Sequence, residues 1–242
     1  VSGSEAENTF SFNGTAEGMV AKSTSLIPTA VSMADMAAAL EAGFSGNGTF
    51  NTGPVKYDFA FNDAGSNMTG TATSASSRLS FNMDKSAIAY VVNSGTSTVS
   101  LSGDQIPFPV NVTLAESVFD ILIPASKSDT PQDFRMVTKL VELAVNDEIW
   151  GMIDPSAALP HDPATLIIDA NGTATMTASL MDPNATAPGA PPPGMINSLN
   201  LNQLQLRGVG ADLTVNGAFT VDNADITTYP GMPKPVGKVS LQ

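Results

Sequence analysis

Between Val55 and Phe61 the order VKYDFAF sets Val55, Tyr57, Phe59 and Phe61 on one side of an extended chain, with Lys56, Asp58 and Ala60 on the other. A period of two specifies a strand with one wet face. The same alternation recurs at Leu79-Phe81-Met83, Ile88-Tyr90-Val92, Ala174-Met176-Ala178-Leu180 and Leu213-Val215. Four Asn-Gly dipeptides, Asn13-Gly14, Asn47-Gly48, Asn171-Gly172 and Asn216-Gly217, stand among such stretches. Asn and Gly tolerate the positive φ angles of a two-residue type I′ turn, so each dipeptide predicts a tight hairpin. Those at Asn171 and Asn216 fall between well-patterned strands, whereas Asn13 and Asn47 sit near less regular sequence. The fold class expected is mainly β, an antiparallel meander forming a curved sheet or a sandwich, with one or two short helices.

Punctuation divides the chain further. Asn62-Asp63-Ala64-Gly65 reads as a turn, with Met68 to Thr73 as the returning strand. SMADMAAALEAGF predicts a helix over 32–42, with Ser32 as N-cap, Asp35 in a capping-box position and Gly43 as the stop. A short helix is predicted over 147–153, capped by Asn146 or Asp147 and ended by Asp154-Pro155. Its Ile149, Trp150 and Ile153 are expected to plug one end of the sheet. The segment DPNATAPGAPPPG, 182–194, reads as a Pro-rich loop, because proline lacks the amide hydrogen of a central strand. Further breaks fall at Pro107–Pro109, Pro160–Pro163 and Pro230–Pro233. The expected organisation is a main β region over 1–181, the loop, and C-terminal strands of the same sheet over 195–242. In SLNLNQLQLRG the apolar phase jumps between Leu201 and Leu204, which demands a bulge or a change of partner face. Strands begin and end close to the two termini, so both ends look cut from something longer.

Charge narrows the partners. Ten Lys and Arg against 23 Asp and Glu give a net charge of -13, which repels phosphate backbones, so no nucleic acid partner is expected. Charged residues are only 14 % of the chain, and the exposed strand faces are expected to be hydroxyl and amide. With no cysteine there is no disulfide, thiolate metal site or thiol nucleophile. No apolar run reaches the length of a transmembrane helix, and no transmembrane segment is expected. The start, VSGSEAENTFSF, lacks a basic and an apolar region, so a signal peptide is expected to have been removed or to lie outside the chain.

Several residues carry latent chemistry. His161 beside Asp162 could form a base and its orienting group, but no serine sits in a Gly-x-Ser-x-Gly turn to be its nucleophile. Glu116, Asp120, Glu142, Asp147 and Glu148 could supply the two acids of a glycosidase-like hydrolase. With 6 % aromatic residues and one tryptophan the chain is poor in sugar-stacking rings. Asp222-Asn223-Ala224-Asp225 and Asn62-Asp63 could offer oxygens to calcium, but they match no calcium-loop spacing and read better as Asx turns. Asn13, Asn47, Asn67, Asn111, Asn171 and Asn184 satisfy the N-x-Ser/Thr pattern, three of them within the Asn-Gly dipeptides. No catalytic, cofactor-binding or metal-ligating residue is assigned on these grounds, and no cofactor is expected.

The strings IPTAVSMADMAAALEAGFSGNGTFN (27–51), IPFPVNVTLAESVFDILIPASKSD (106–129), DEIWGMIDPSAALPHDPATL (147–166) and FTVDNADITTYPGMPKPVG (219–237) resemble the alphaproteobacterial domain of unknown function 2125 family. The family more usually carries Arg where this chain has His161. The tail is also reminiscent of AsmA-like envelope proteins, whose long curved sheets carry lipid along an apolar groove. The resemblance implies a β-rich exported protein, periplasmic or secreted, and supplies no activity.

Two short helices cannot cover about a dozen half-apolar strands. The apolar face must close into a core, pack on another part of the protein, or meet a ligand. Met33, Met36, Met68, Met83, Met176, Met181 and Met195 offer side chains that adapt to irregular apolar partners. The expectation is a non-catalytic envelope binding or scaffolding protein, its apolar sheet face meeting a protein partner or a lipid; the acidic-cleft hydrolase is the alternative.

Overall fold

The structure is a computed structural model and describes residues 2–5, 8–63, 65–185 and 187–242. In chain order its elements are β1 (Ser2–Glu5), β2 (Asn8–Ala16), β3 (Val20–Leu26), α1 (Met36–Glu41), β4 (Ser45–Thr52), β5 (Val55–Asp63), β6 (Ser66–Ser74), β7 (Ser77–Met83) and β8 (Ala87–Ser94). There follow β9 (Ser97–Gly103), β10 (Val110–Leu114), β11 (Glu116–Pro124), β12 (Gln132–Val145), α2 (Asp147–Ile153), β13 (Ala164–Met176), β14 (Gly194–Gly208), β15 (Ala211–Asp222) and β16 (Lys234–Leu241). The strands form one open, curved, antiparallel sheet. All the strands belong to one hydrogen-bonded sheet, open and curved rather than split into the two sheets of a sandwich. The loop 177–193 joins β13 to β14 within it, and the strands after the loop continue the same sheet.

Many of these strands are halves of longer ones. β2 and β3, β4 and β5, β6 and β7, β8 and β9, and β10 and β11 are such pairs of halves, each interrupted for one to three residues at a common line and in the same pairing register on both sides of it. Ser74 pairs with Ser97 on one side of the line and Ser77 with Ser94 on the other. Hydrogen bonds carry the sheet across it. Ala75 N–H donates to Thr96 O at 2.8 Å, Gly95 N–H to Ser76 O at 3.0 Å, Gly53 N–H to Glu17 O at 2.8 Å, and Ala115 N–H to Val141 O at 2.9 Å. The backbone bends at Gly53-Pro54, Ala75, Thr96 and Ala115. β12 crosses the same line through a bulge between Leu140 and Leu143, with Glu142 at φ 54°. Strands β13 to β16 extend one half only.

The hydrophobic pattern changes phase at this line. Apolar positions are odd on β5 (Tyr57, Phe59, Phe61) and even on β4 (Phe50). They are even on β6 (Met68, Ala72) and odd on β7 (Leu79, Phe81, Met83), then even on β8 (Ile88, Tyr90, Val92) and odd on β9 (Val99, Leu101). Strict alternation through an unbroken strand would send the two sets to opposite sides of the sheet. The bend cancels that inversion. Ser74, level with Val55, and Ser77, level with Thr52, approach to 3.4 Å through their hydroxyls, and Ser77 meets Ser94 at 3.3 Å. The two apolar sets therefore share one side. That side is the inside of the bend: Val55 is 6 % exposed, whereas Pro54, Ala75, Ser76 and Thr96 face solvent.

The four Asn-Gly dipeptides are not turns. They lie within β2, β4, β13 and β15, and the positive-φ glycines are Gly18, Gly43, Gly65, Gly189, Gly210 and Gly231. In each dipeptide the Asn takes the outer, wet face and the Gly the inner one. Gly14 stands opposite Tyr57, Gly48 opposite Phe81 and Gly172 opposite Phe134. A Cβ on Gly14 would come 2.8 Å from Tyr57 Cδ1, and one on Gly172 2.8 Å from Phe134 Cζ. Glycine is present because an aromatic ring from the next strand fills its side-chain volume. Gly217 is confined instead by Lys238 O at 2.8 Å and by the Phe219 ring at 3.2 Å. A true two-residue turn is at Val209-Gly210, φ 48° and 79°, between paired Gly208 and Ala211. Of the predicted Asn62–Gly65 turn, Asn62 and Asp63 are strand residues, Asp63 paired with Ser66, and Gly65 has φ 96°; Ala64 lies outside the described residues.

The helices also shift. α1 begins at Met36 rather than Ser32, because the Asp35 carboxylate accepts from Ala38 N–H at 2.9 Å and is the true N-cap. Ser32 Oγ accepts from Ala34 N–H at 3.2 Å in a preceding turn, and Gly43 follows the helix at φ 97°. α2 spans the expected residues, but it is no plug. Ile149 and Trp150 are half-buried, Ile153 is 63 % exposed, and the helix buries none of its residues. Asn146 precedes it without capping it, because its side chain ties the helix to β10: Oδ1 accepts from Asn111 N–H and Nδ2 donates to Pro109 O, both at 2.8 Å. The alternation over Ala174–Leu180 stops at Met176, where β13 ends. The bulge demanded between Leu201 and Leu204 is present.

Candidate functional site

The inside of the bent sheet is an apolar trough. In one half, rows of directly paired residues run Phe12–Phe59–Gly70–Leu101–Val110 and Gly14–Tyr57–Ala72–Val99–Val112. In the other half, Phe81–Tyr90–Ile121–Met136–Ala170–Leu201 and Leu79–Val92–Phe119–Thr138–Ile168–Leu204 continue the floor. Away from the hairpin tips these rows carry no charged side chain. The outer face is their complement. Behind the first half it reads Ser11, Asn13, Lys56, Asp58, Thr69, Thr71, Ser100 and Ser102, with hydroxyl pairs such as Thr69–Ser102 at 3.0 Å. Lys22, Arg78, Arg135, Lys139, Arg207 and Lys238 all take outer positions behind the second half.

Little covers the trough. Phe10, Phe12, Tyr57, Phe61, Phe81 and Phe119, all inward, are each 40–46 % exposed. The chain exposes 14466 Å², against roughly 10,000 Å² expected for a compact protein of its mass. Fully buried apolar side chains gather where α1 and the loops 125–128 and 179–184 close one end of the second half. Ala39, Leu40 and Ala125 have no exposure there, and Leu180 N–H donates to Ala125 O at 3.0 Å.

The residues with latent chemistry do not converge. Asp120 is held by Arg135 through two hydrogen bonds of 2.9 and 3.1 Å, Glu142 lies 3.8 Å from Arg207, and Glu148 accepts from Asn146 Nδ2 at 2.6 Å. Glu116 starts β11 and Asp147 starts α2, both exposed. None of the five hydrogen-bonds another. Hydrogen bonds from its own backbone N–H and from Asn146 hold Glu148 below the usual carboxylate range. His161 stacks on Trp150, centroids 4.3 Å apart at 6°, and its Nε2 is 4.0 Å from Asp154 rather than near a nucleophile. Asp154 is lowered first by the Leu159 N–H, then by Ser156 and His161. Asp225 accepts from the backbone N–H and hydroxyl of both Thr227 and Thr228, an Asx turn whose donors occupy the oxygens a cation would need. Asn62 and Asp63 end β5. Among the described residues no three histidine, cysteine or acidic side chains converge as a metal-binding group.

Set against models of protein families, curated proteins and solved structures, the chain matches none of them. Among the described residues no helix is long and apolar enough to cross a membrane. The candidate site is therefore the trough itself. Individual strands are legible in the sequence, but the trough is not, because it depends on the phase change at the bend. Its signal is present between Ala72 and Leu79, where apolar spacing switches from even to odd without any turn dipeptide.

Proposed function

We propose that this chain is a non-catalytic binding module whose trough takes up the acyl chain of an amphiphile. One observation carries the reading: the open sheet presents a concave, uncharged face to solvent, apolar in both halves and crossed at the bend by a band of hydroxyls from Thr52, Ser74, Ser77 and Ser94. Uncovered apolar surface beyond a few hundred Å² marks an interaction site, and an acyl chain asks of its host only apolar contact, having no polar group to satisfy. Inward methionines such as Met68, Met83, Met136 and Met176 suit chains of variable shape. The resemblance to the domain of unknown function 2125 family and to AsmA-like proteins supports an envelope setting, periplasmic or secreted. Chain isolated without detergent should carry amphiphile in native mass spectra, and the delipidated chain should bind an apolar fluorophore. A sample that shows neither contradicts the reading.

A protein partner is the second reading, favoured by the outer edges of β3 and β16. Both leave backbone donors and acceptors free among the described residues, as strand addition requires. In that case a defined protein, not a lipid, should accompany the chain from envelope extracts.

A further inference from the structure

At the α1 end of the trough a polar cleft opens beside the apolar floor. The hairpin Asp84–Ser86, which follows Met83 and precedes Ile88 on the floor, and the loop 125–131, which follows Ile123, form its walls, and Gly43–Ser45 closes it. The Phe44 ring lies over Gly46, 3.5 Å from where its Cβ would stand, and so joins the cleft to the floor. The volume is about 460 Å³.

The polar groups here are unevenly committed. The Asp84 carboxylate accepts from the Ser86 N–H and hydroxyl, the Ala87 N–H and Asn82 Nδ2. Lys85 is paired with Glu41 at 2.6 Å. Ser128 Oγ donates to Thr130 O, and Gln132 Nε2 donates back to Ser128 Oγ. Three side-chain donors are left over among the described residues: Lys127 has neither an ion pair nor a hydrogen bond, the Ser45 hydroxyl has no hydrogen bond, and the Ser126 hydroxyl, in a residue 6 % exposed, is buried without a partner. Buried hydroxyls almost always find a partner, Ser126 and Lys127 both line the cleft, and an ammonium with no carboxylate partner attracts an oxyanion. Glu41 is offset by its ion pair with Lys85, whereas Asp84, whose donors are all neutral, keeps its negative charge.

We propose that this cleft receives the oxyanion headgroup, carboxylate or phosphate, of an amphiphile whose acyl chain lies along the trough. Lys127 supplies the charge and Ser126 a hydrogen bond. The inference rests on the acyl-binding reading above and adds the chemical class of the ligand and its direction, headgroup toward α1.

The test measures binding of three probes to the delipidated chain by calorimetry, below their micelle concentrations. They are palmitate, palmitoyl-lysophosphatidic acid and the uncharged monopalmitoylglycerol, with inorganic phosphate alone as a fourth arm. At least one anionic probe should bind about tenfold tighter than monopalmitoylglycerol, and the preference should shrink as salt is raised. Lys127→Gln, at an exposed position that does not threaten folding, and Ser126→Ala should each weaken that probe about three- to tenfold and leave monopalmitoylglycerol unchanged. Lys22→Gln, on the outer face, should change nothing. Equal binding of charged and uncharged probes, or a preference that survives Lys127→Gln, overturns the headgroup site while leaving the trough intact. Inorganic phosphate binding as tightly as the lysolipid would make the cleft a site for a free anion and also overturns it. Failure of all three amphiphiles to bind overturns the acyl-binding reading and the headgroup site with it.

Discussion

A methyl group added at Gly14 would push against the Tyr57 ring, whereas one at Gly172 would meet the backbone carbonyl of Ser198 as well as the Phe134 ring. The difference has a measurable consequence. Tyr57 is 40 % exposed and can swing away, and replacing Gly also lowers the entropy of the unfolded chain by about 0.4–1 kcal/mol. Gly14→Ala should therefore stay within about 1 kcal/mol of the parent, and Gly172→Ala, whose backbone neighbour cannot yield, should lose about 2–3 kcal/mol in urea unfolding. If these dipeptides were hairpins, both substitutions would meet the same positive-φ penalty and cost alike. Nothing in the dipeptide distinguishes the two uses of Asn-Gly. The distinguishing residue is the aromatic ring opposite, as far away as Phe134 is from Gly172, and no local reading supplies it. Asp225 shows the opposite case, where local sequence suffices. Its carboxyl is held well below the ordinary 3.8, first by the Thr228 hydroxyl and then by the backbone N–H groups of Thr228 and Thr227. A depressed folded-state value gives stability that is present above pH 3.8 and is lost as pH falls from there through the folded value. Asp225→Asn should flatten this acid limb of the stability profile and leave its shape above pH 5 unchanged; an unaltered acid limb contradicts the Asx-turn account.

The elements divide the labour unevenly. α1 has the largest fully buried side chain, Leu40, at one closed end of the trough, while α2 leaves Met152 and Ile153 more than 60 % exposed at its C-terminal end. Leu40→Ala should cost about 2–5 kcal/mol, and Ile153→Ala no more than about 0.5 kcal/mol, by thermal or urea unfolding. Comparable losses at the two sites would restore a plugging role to α2. Both helices were legible in outline, because Asp35, Gly43 and Asp154-Pro155 are local stop and start signals. What the short α2 packs against is a tertiary matter, and an apolar pattern such as Ile149-Trp150-Ile153 does not reveal it. The bulge between Leu201 and Leu204 was legible for the reason the bend was not. It shows as a phase slip within one short segment, whereas the bend needs the slips of β4–β5, β6–β7 and β8–β9 to be aligned side by side.

Over the whole molecule the sheet follows a simple meander, yet it spends its apolar residues on a surface rather than a core. The inward rows, from Phe10 to Leu241, lie open except where α1 and the loops 125–128 and 179–184 close one end. The polar residues are sorted too: serine, threonine and asparagine, with the Lys56–Asp58 ion pair, cover the outside of the first half, and Lys22, Arg78, Arg135, Lys139, Arg207 and Lys238 sit behind the second. A surface so sorted makes a positional claim about the ligand, and a photoactivatable palmitate analogue with its reactive group at the chain terminus tests it most directly. After irradiation with the delipidated chain, peptide mass spectrometry should place the cross-links on inward residues within an acyl chain's reach of the α1 cleft, such as Tyr90, Val92 or Phe119, and unlabelled palmitate should compete them away. Cross-links on their outward neighbours Val91, Asn93 and Asp120, or labelling that competitor does not reduce, would contradict the account.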